Sequence, residues 1–346
     1  MSDARELIAE GIERLLGAEV NRPLLEDFET GRWPAGLWAA IEDAGYAQVL
    51  AADGAARDWT DAAPVLRALG RHRAPVPLAE TVVANWLLAR AGLPVEPGPV
   101  TLLDADPSVQ LRRAGTGVQV SGVAPRVPWA RFARRAVYGA ELDGRQVLAL
   151  IDLPEDAIVE AGTNAAAEPR DGVRLDGCTV RACAPVQAGS ASIRTYGALA
   201  RAAEISGAIE SVLAQALQYA NDRVQFGRPI GKFQAIQHML AELACESAAA
   251  NAAVAAACEV AGSDDDRIEI ATAKIRAGDA AGRATAIAHQ VHGAIGFTYE
   301  HTLHFATRRL WSWRAEYGAG AQWAAWLGGG AVAAGAEGFW PAVTAR

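Results

Sequence analysis

From its amino terminus the chain carries apolar stripes at helical spacing. Leu7, Ile8, Ile12, Leu15 and Leu16 fall on one helical face. Leu37 and Ile41, the run 62–69 and the segment AETVVANWLLARA (79–91) predict further helices, which end at the Pro/Gly-rich stretch GLPVEPGPV. Short strand-like runs then follow at 100–103, 108–111, 117–120, 135–138 and 146–151. Most are rich in Val and Leu, and turn residues such as Asp143-Gly144 separate them. From about residue 189 the helical period returns and persists. Residues 190–222 contain no proline and place Leu199, Ala203, Ile205, Ile209, Val212, Leu213, Ala216 and Tyr219 at near-helical spacing. Two long helices are predicted over 231–261 and 265–292, with Gly262-Ser-Asp-Asp-Asp as stop and cap between them, and a last pair over 299–316 and 319–333.

The pattern predicts an α+β protein, mainly α, in three parts. These are an N-terminal helical domain (1–98), a small antiparallel β domain (99–188) and a C-terminal four-helix bundle (189–346), whose abundant Ala permits close helix approach. A chain of 346 residues is long enough for two or three cores, and 51% hydrophobic with 21% charged residues is an ordinary globular balance. The net charge of -8 gives no electrostatic reason to bind nucleic acid or an anionic membrane. Cys178, Cys183, Cys245 and Cys258 form no CxxC pair and read as small buried residues of a reducing compartment. No signal peptide is read at the N-terminus, and the longest apolar stretches, interrupted by Gly, Arg or Gln, fall short of a membrane span. The expectation is a cytoplasmic protein. His292, His301 and His304 cluster in sequence without Cys or carboxylate ligands nearby, so no metal site is expected.

Three elements of the C-terminal half carry a sharper signal. They are R-x-x-F-G (223–227), F-Q-x-x-Q (233–237) and Q-x-x-G-x-x-G-F (290–297). In order and spacing, over about 190–318, they resemble the bundle domain of the acyl-CoA dehydrogenases. The resemblance implies FAD as cofactor, an acyl-CoA substrate and electron-transfer flavoprotein as acceptor. Arg223 ends a long helix, and a guanidinium there can bind a diphosphate bidentately; the matching family residue contacts the FAD of the neighbouring subunit. Phe226 could cover the flavin or adenine edge or serve as a core anchor. Gln290 and Gly293 match the family's second cofactor-binding element, where glycine lets backbone approach the ligand. Ala294 stands where the family often has a second glycine.

The catalytic position departs from the family. Its members abstract the α-proton with a partly buried carboxylate, and alignment from Gly296-Phe297 places Tyr317 there, with Glu316 one residue earlier. Tyrosine is a poor base at neutral pH, and Glu316 would need a local shift to serve. The alternative base position of some relatives falls on Gly197, with Glu204 and Glu210 deeper in that helix. The family's flavin-contacting loop is not recognisable near Thr101, and the flavin strand is replaced by Val127-Pro-Trp129, whose indole could pack on a flavin or in a core. Beyond Gly318, Gln322 is the one nearby polar candidate. What a subunit donates to its neighbour's FAD is kept and what it uses itself is lost. This resembles the short subunit of heteromeric (α2β2) bacterial acyl-CoA dehydrogenases of steroid side-chain degradation, whose unlike partner supplies the base. Two other readings stand beside it, a self-sufficient homo-oligomer using Glu316 and a non-catalytic scaffold or regulatory pseudoenzyme. A clustering of Trp311, Trp313, Trp323 and Trp326 fits either an interface or a core.

Overall fold

The computed structural model describes residues 3–51, 57–104, 106–115, 117–187, 192–264 and 266–344. Among the described residues five α-helices come first, α1 (Asp3–Glu19), α2 (Arg22–Glu29), α3 (Ala35–Asp43), α4 (Trp59–His72) and α5 (Leu78–Arg90). The β zone holds β1 (Val100–Leu103), β2 (Val109–Ala114), β3 (Gly117–Pro128), β4 (Arg135–Leu142), β5 (Arg145–Asp152), β6 (Ile158–Glu160), β7 (Arg170–Arg174) and β8 (Val180–Pro185). The helical half is α6 (Ile193–Asp222), a hairpin of β9 (Val224–Gln225) and β10 (Arg228–Pro229), then α7 (Gln234–Val260), α8 (Arg267–His292), α9 (Leu303–Trp313) and α10 (Gly320–Thr344). The domain boundary expected at 188–189 lies outside the described residues.

The β zone is two four-stranded sheets, ordered β1-β4-β5-β8 and β2-β3-β7-β6. Among the described residues the strand pairs are antiparallel except that β1 pairs parallel to β4. The Asp143-Gly144 turn joins β4 to β5 with both residues at positive φ, the type I′ geometry that this dipeptide favours. Alternation along these strands builds two cores at once. Val137, Leu148 and Leu150 face the helices, while Ala136, Tyr138, Ala149 and Ile151 face the second sheet. The helix-facing residues join a single core that contains side chains from the first helices and from the bundle.

Helix α6 is the axis of that core, packed against α4 on one side and α7, α8 and α9 on others. Glycines set the α4–α6 distance. A Cβ on Gly70 would lie 1.8 Å from the Glu204 carbonyl oxygen, and one on Gly207 would lie 1.9 Å from that of Arg67. Helix α7 is long and apolar enough to cross a membrane by length and composition alone, which the sequence reading did not expect. Its apolarity comes from the alanines that let it lie against α6 and α8. The expected capping of α8 is also different. Asp266 makes no side-chain cap; its carboxylate accepts from Gly262 N at 2.7 Å and Tyr196 Oη at 2.9 Å, tying the α7–α8 turn to α6.

Candidate functional site

The C-terminal ends of α6 and α8 meet at a cleft of about 630 Å³. Arg223, Phe226, Gln290, Gly293 and Ala294, widely separated in sequence, all line it. Arg223 caps α6, its N–H bonded to Tyr219 O at 2.9 Å, and it is exposed. Its guanidinium makes no ion pair among the described residues. Beyond it the β9–β10 hairpin turns through Phe226 (φ 51) and Gly227 (φ 80), so a phenyl is held in the left-handed region. That phenyl is 91% exposed, which excludes the core-anchor reading within this chain. At the opposite wall Gly293 ends α8 with φ 62, and a Cβ there would meet nothing within 4 Å. Backbone is thus bare toward the cleft. A free guanidinium, an exposed aromatic and an approachable backbone fit an anionic ligand with a planar ring.

The candidate base positions are occupied quite differently. Glu316 follows α9 and is clamped. Arg170 Nε and Nη2 reach its Oε1 at 2.9 and 2.5 Å, and Arg201 Nε reaches Oε2 at 2.8 Å. Burial would raise its carboxyl, but the Arg170 and Arg201 guanidiniums outweigh burial and hold it down to about 2. Tyr317 is driven the other way, well above the usual phenol range, by burial first and by Glu80 and Glu316. Its ring lies against the Cα of Gly197, where a Cβ would come within 2.6 Å. The two base positions implied by the resemblance therefore meet face to face, and neither carries a carboxylate. Together with Ala79, Glu80, Val83, Leu102, Ala200 and Arg201 they leave no room for a water molecule.

Sequence reasoning missed the network around them. Arg201 spends Nη1 on Glu204 and Nη2 on Glu80, so one guanidinium serves three carboxylates. Arg170 also reaches Glu168, which receives the Trp313 indole at 2.9 Å and pairs with Arg309. Lys274 donates to the carbonyls of Trp313 and Arg314, both at 3.0 Å. The available signal was charge set among apolar helix positions, Glu80 in α5 and the pair Arg201 and Glu204 in α6. Glu210, the other deep-helix candidate, is paired with Arg67 and Arg71. A cavity of about 640 Å³ opens beside the network, between Val127 and Pro128 of β3 and the turn bearing Glu316. Trp129 does not face it as a flavin platform. It is buried, 5.6 Å from the ring of Phe28. Gln322 is engaged by Ala319 N and Arg194. Trp313 and Trp323 are core residues, whereas Trp311 is exposed. No group of three His, Cys, Asp or Glu is placed to hold a metal among the described residues.

Residues 194–320 match the family model for the acyl-CoA dehydrogenase C-terminal domain, a span that includes both the cleft and the Glu316–Tyr317 turn. The acyl-CoA dehydrogenase IpdE2 of Mycobacterium tuberculosis is 31% identical over 265 residues, covering 74% of this chain and 73% of that protein. The chain belongs to the acyl-CoA dehydrogenase family. FAD is the cofactor of that family. Its fold matches the ChsE4–ChsE5 complex of Mycobacterium tuberculosis with a TM-score of 0.83 at 23% identity, over 95% of this chain and 97% of that one. It also matches a variant of the Tcur3481–Tcur3483 steroid acyl-CoA dehydrogenase with a TM-score of 0.84 at 23% identity, over 94% and 96%.

In this family member Lys274 makes a testable contribution. Burial lowers its ammonium from an ordinary 10.5 to about 7, and Glu316 restores only part of that loss. Between those values the unfolded chain holds a proton that the folded chain does not. Stability contributed by this group therefore rises as pH rises from about 7 toward 10.5. Urea unfolding across that range should show the rise in the wild type and a flatter profile in Lys274→Met.

Proposed function

We propose that this chain is one subunit of an FAD-dependent acyl-CoA dehydrogenase that lends the Arg223 cleft to a flavin bound mainly by an unlike partner subunit, and that the partner supplies the base. The observation that carries this reading is the contrast between two sites. The donating cleft is open and its cation is free. At the chain's own base position Tyr317 is packed on Gly197 and Glu316 is tied to two arginines. A bound FAD would supply the acceptor for the β-hydride of the acyl thioester. In this chain Arg223 would hold diphosphate charge, the Gly293 backbone would allow close approach of the cofactor, and Phe226 would cover an aromatic edge.

An unlike partner accords with the ChsE4–ChsE5 complex among the fold neighbours, and a bulky, steroid-type acyl-CoA with the steroid enzyme. The expected acceptor is electron-transfer flavoprotein, and the expected compartment is the cytoplasm. The self-sufficient reading asks a carboxylate held at about 2 to abstract an α-proton, which disfavours it. The pseudoenzyme reading leaves the open cleft and its free guanidinium without a use.

Two measurements test the proposal. Purified alone, the chain should carry far less than one FAD per chain, and flavin absorbance should appear on co-expression with its partner; one tightly bound FAD per isolated chain would overturn it. In the assembled enzyme, Glu316→Gln should leave turnover per bound flavin within a few-fold of wild type. Removal of a true general base costs about 10²–10⁴-fold, and a loss of that size would make Glu316 the base.

A further inference from the structure

The floor of the Arg223 cleft contains a polar atom with no use in the family reading. His292, the last residue of α8, is 3% exposed. Its Nδ1 lies 2.7 Å from Ala288 O, and because a carbonyl only accepts, the ring proton sits on Nδ1. Nε2 is then a bare lone pair, shielded from water and without a partner. One ring face lies on Tyr219, with centroids 4.6 Å apart and planes 23° from parallel. His301 meets His292 edge-on at 4.6 Å and 67°. His301 has the opposite tautomer, since its Nδ1 accepts from Leu303 N at 3.1 Å. Three rings from α6, α8 and the α8–α9 hairpin thus lock together, and Tyr219 and His292 line the cleft beside Arg223, Gln290 and Gly293.

We propose that His292, in its neutral Nδ1–H form, is a positioning residue of the flavin cleft, and that a second proton on its ring loosens the cleft and weakens cofactor binding. The inference rests on the assignment of this cleft to FAD. Its physical basis is the environment of Nε2. A proton there would create a buried donor without an acceptor, and the cost is greater because the group would also be charged. The groups that face the ring are Tyr219 of α6, His289 of α8 and His301 of the hairpin, with Arg223 across the cleft and His304 beyond His301; none of them is an acid. Burial accordingly holds the imidazole below its ordinary range, with His301 and His289 adding to the effect. The cation's least costly escape is to swing out, which releases Tyr219 and the Gly293 turn from their present spacing. His292 touches the cleft wall and no reacting atom, so its effect reaches the cofactor through Tyr219 and Gly293.

The test is FAD affinity, measured by quenching of flavin fluorescence on the chain purified with the subunit that co-elutes with it. Between about pH 7.5 and pH 5.5 the wild type should weaken by up to about tenfold, the limit for one proton taken up at or below the ordinary histidine range. His292→Phe keeps a stacking ring and cannot titrate. It should bind somewhat more weakly than wild type at the higher pH and lose much less on acidification. His292→Ala, which removes the ring, should be weak at both. An identical acid loss in wild type and His292→Phe would overturn the role of His292, as would wild-type affinity in His292→Ala. If the wild-type assembly binds no FAD at the higher pH, the assignment of the cleft to FAD falls as well. Far-ultraviolet dichroism at each pH separates a local loosening from unfolding.

Discussion

Arg223→Ala is expected to weaken FAD binding by the assembled enzyme on the order of 100-fold, about 3 kcal/mol, while leaving thermal stability unchanged. The two halves of that expectation have separate causes. Arg223 is exposed at the end of α6, and its guanidinium makes no ion pair among the described residues, so the fold loses nothing when the side chain is cut back. Surface substitutions of this kind stay within about 0.5 kcal/mol. A diphosphate placed in the cleft would lose one or two charge-assisted hydrogen bonds, each worth about 1.5–3 kcal/mol. Arg223→Lys keeps the charge and loses the fork, and should fall between the two. The measurement is flavin retained per assembly after gel filtration, alongside a melting curve. Full flavin occupancy in Arg223→Ala would remove the cleft from cofactor binding. A large drop in melting temperature would mean that Arg223 is a structural residue.

The same contrast explains what the sequence could reveal. Cleft residues sit in compact local motifs, R-x-x-F-G at one helix end and Q-x-x-G at another, so each could be read by itself. Helix α6 was legible because its apolar positions repeat over thirty residues, and the β4–β5 hairpin because Asp-Gly dictates its turn. The parallel pairing of β1 with β4 was not, since nothing local in either strand names a partner that far along the chain. Strands β6, β7 and β8 were missed for a related reason. They are short and carry Glu160, Arg170, Asp171 and Arg181, so neither length nor apolar alternation marks them. The role of Glu316 was least legible of all. Its two arginines come from β7 and α6, and only the folded chain reveals that they meet.

Arg201→Ala is expected to produce the largest loss of stability, about 3–5 kcal/mol, the cost of breaking a buried ion pair by removing one partner. Arg201 is 2% exposed and its three nitrogens each hold a different carboxylate, Glu316, Glu204 and Glu80. Glu80 comes from α5, Glu204 from α6 and Glu316 from the turn after α9, so the side chain ties the N-terminal helices to the end of the bundle. Without it the carboxylates remain buried and lose their shared cation. The pH dependence has a definite sign. Burial already raises Glu204 to about 8 despite Arg201, so the folded chain keeps a proton that the unfolded chain releases above its ordinary 4.5. That contribution favours the folded state less and less as pH climbs from 4.5 through 8. Removing Arg201 raises these acids further, and the deficit of Arg201→Ala should therefore be smaller near pH 5, where the orphaned carboxyls can be neutral, than near pH 8. Urea unfolding at the two values checks both size and sign. A deficit under about 1 kcal/mol at pH 8, or one that shrinks as pH rises, would mean that water enters and solvates the acids. The variant also separates the two sites of the molecule. At temperatures where it stays folded, it should still lend Arg223 to a partner's flavin, because the cleft at the far end of α6 shares no residue with the network. On the proposed reading it should gain no dehydrogenase activity of its own, since Tyr317 stays against Gly197 and Arg170 still holds Glu316.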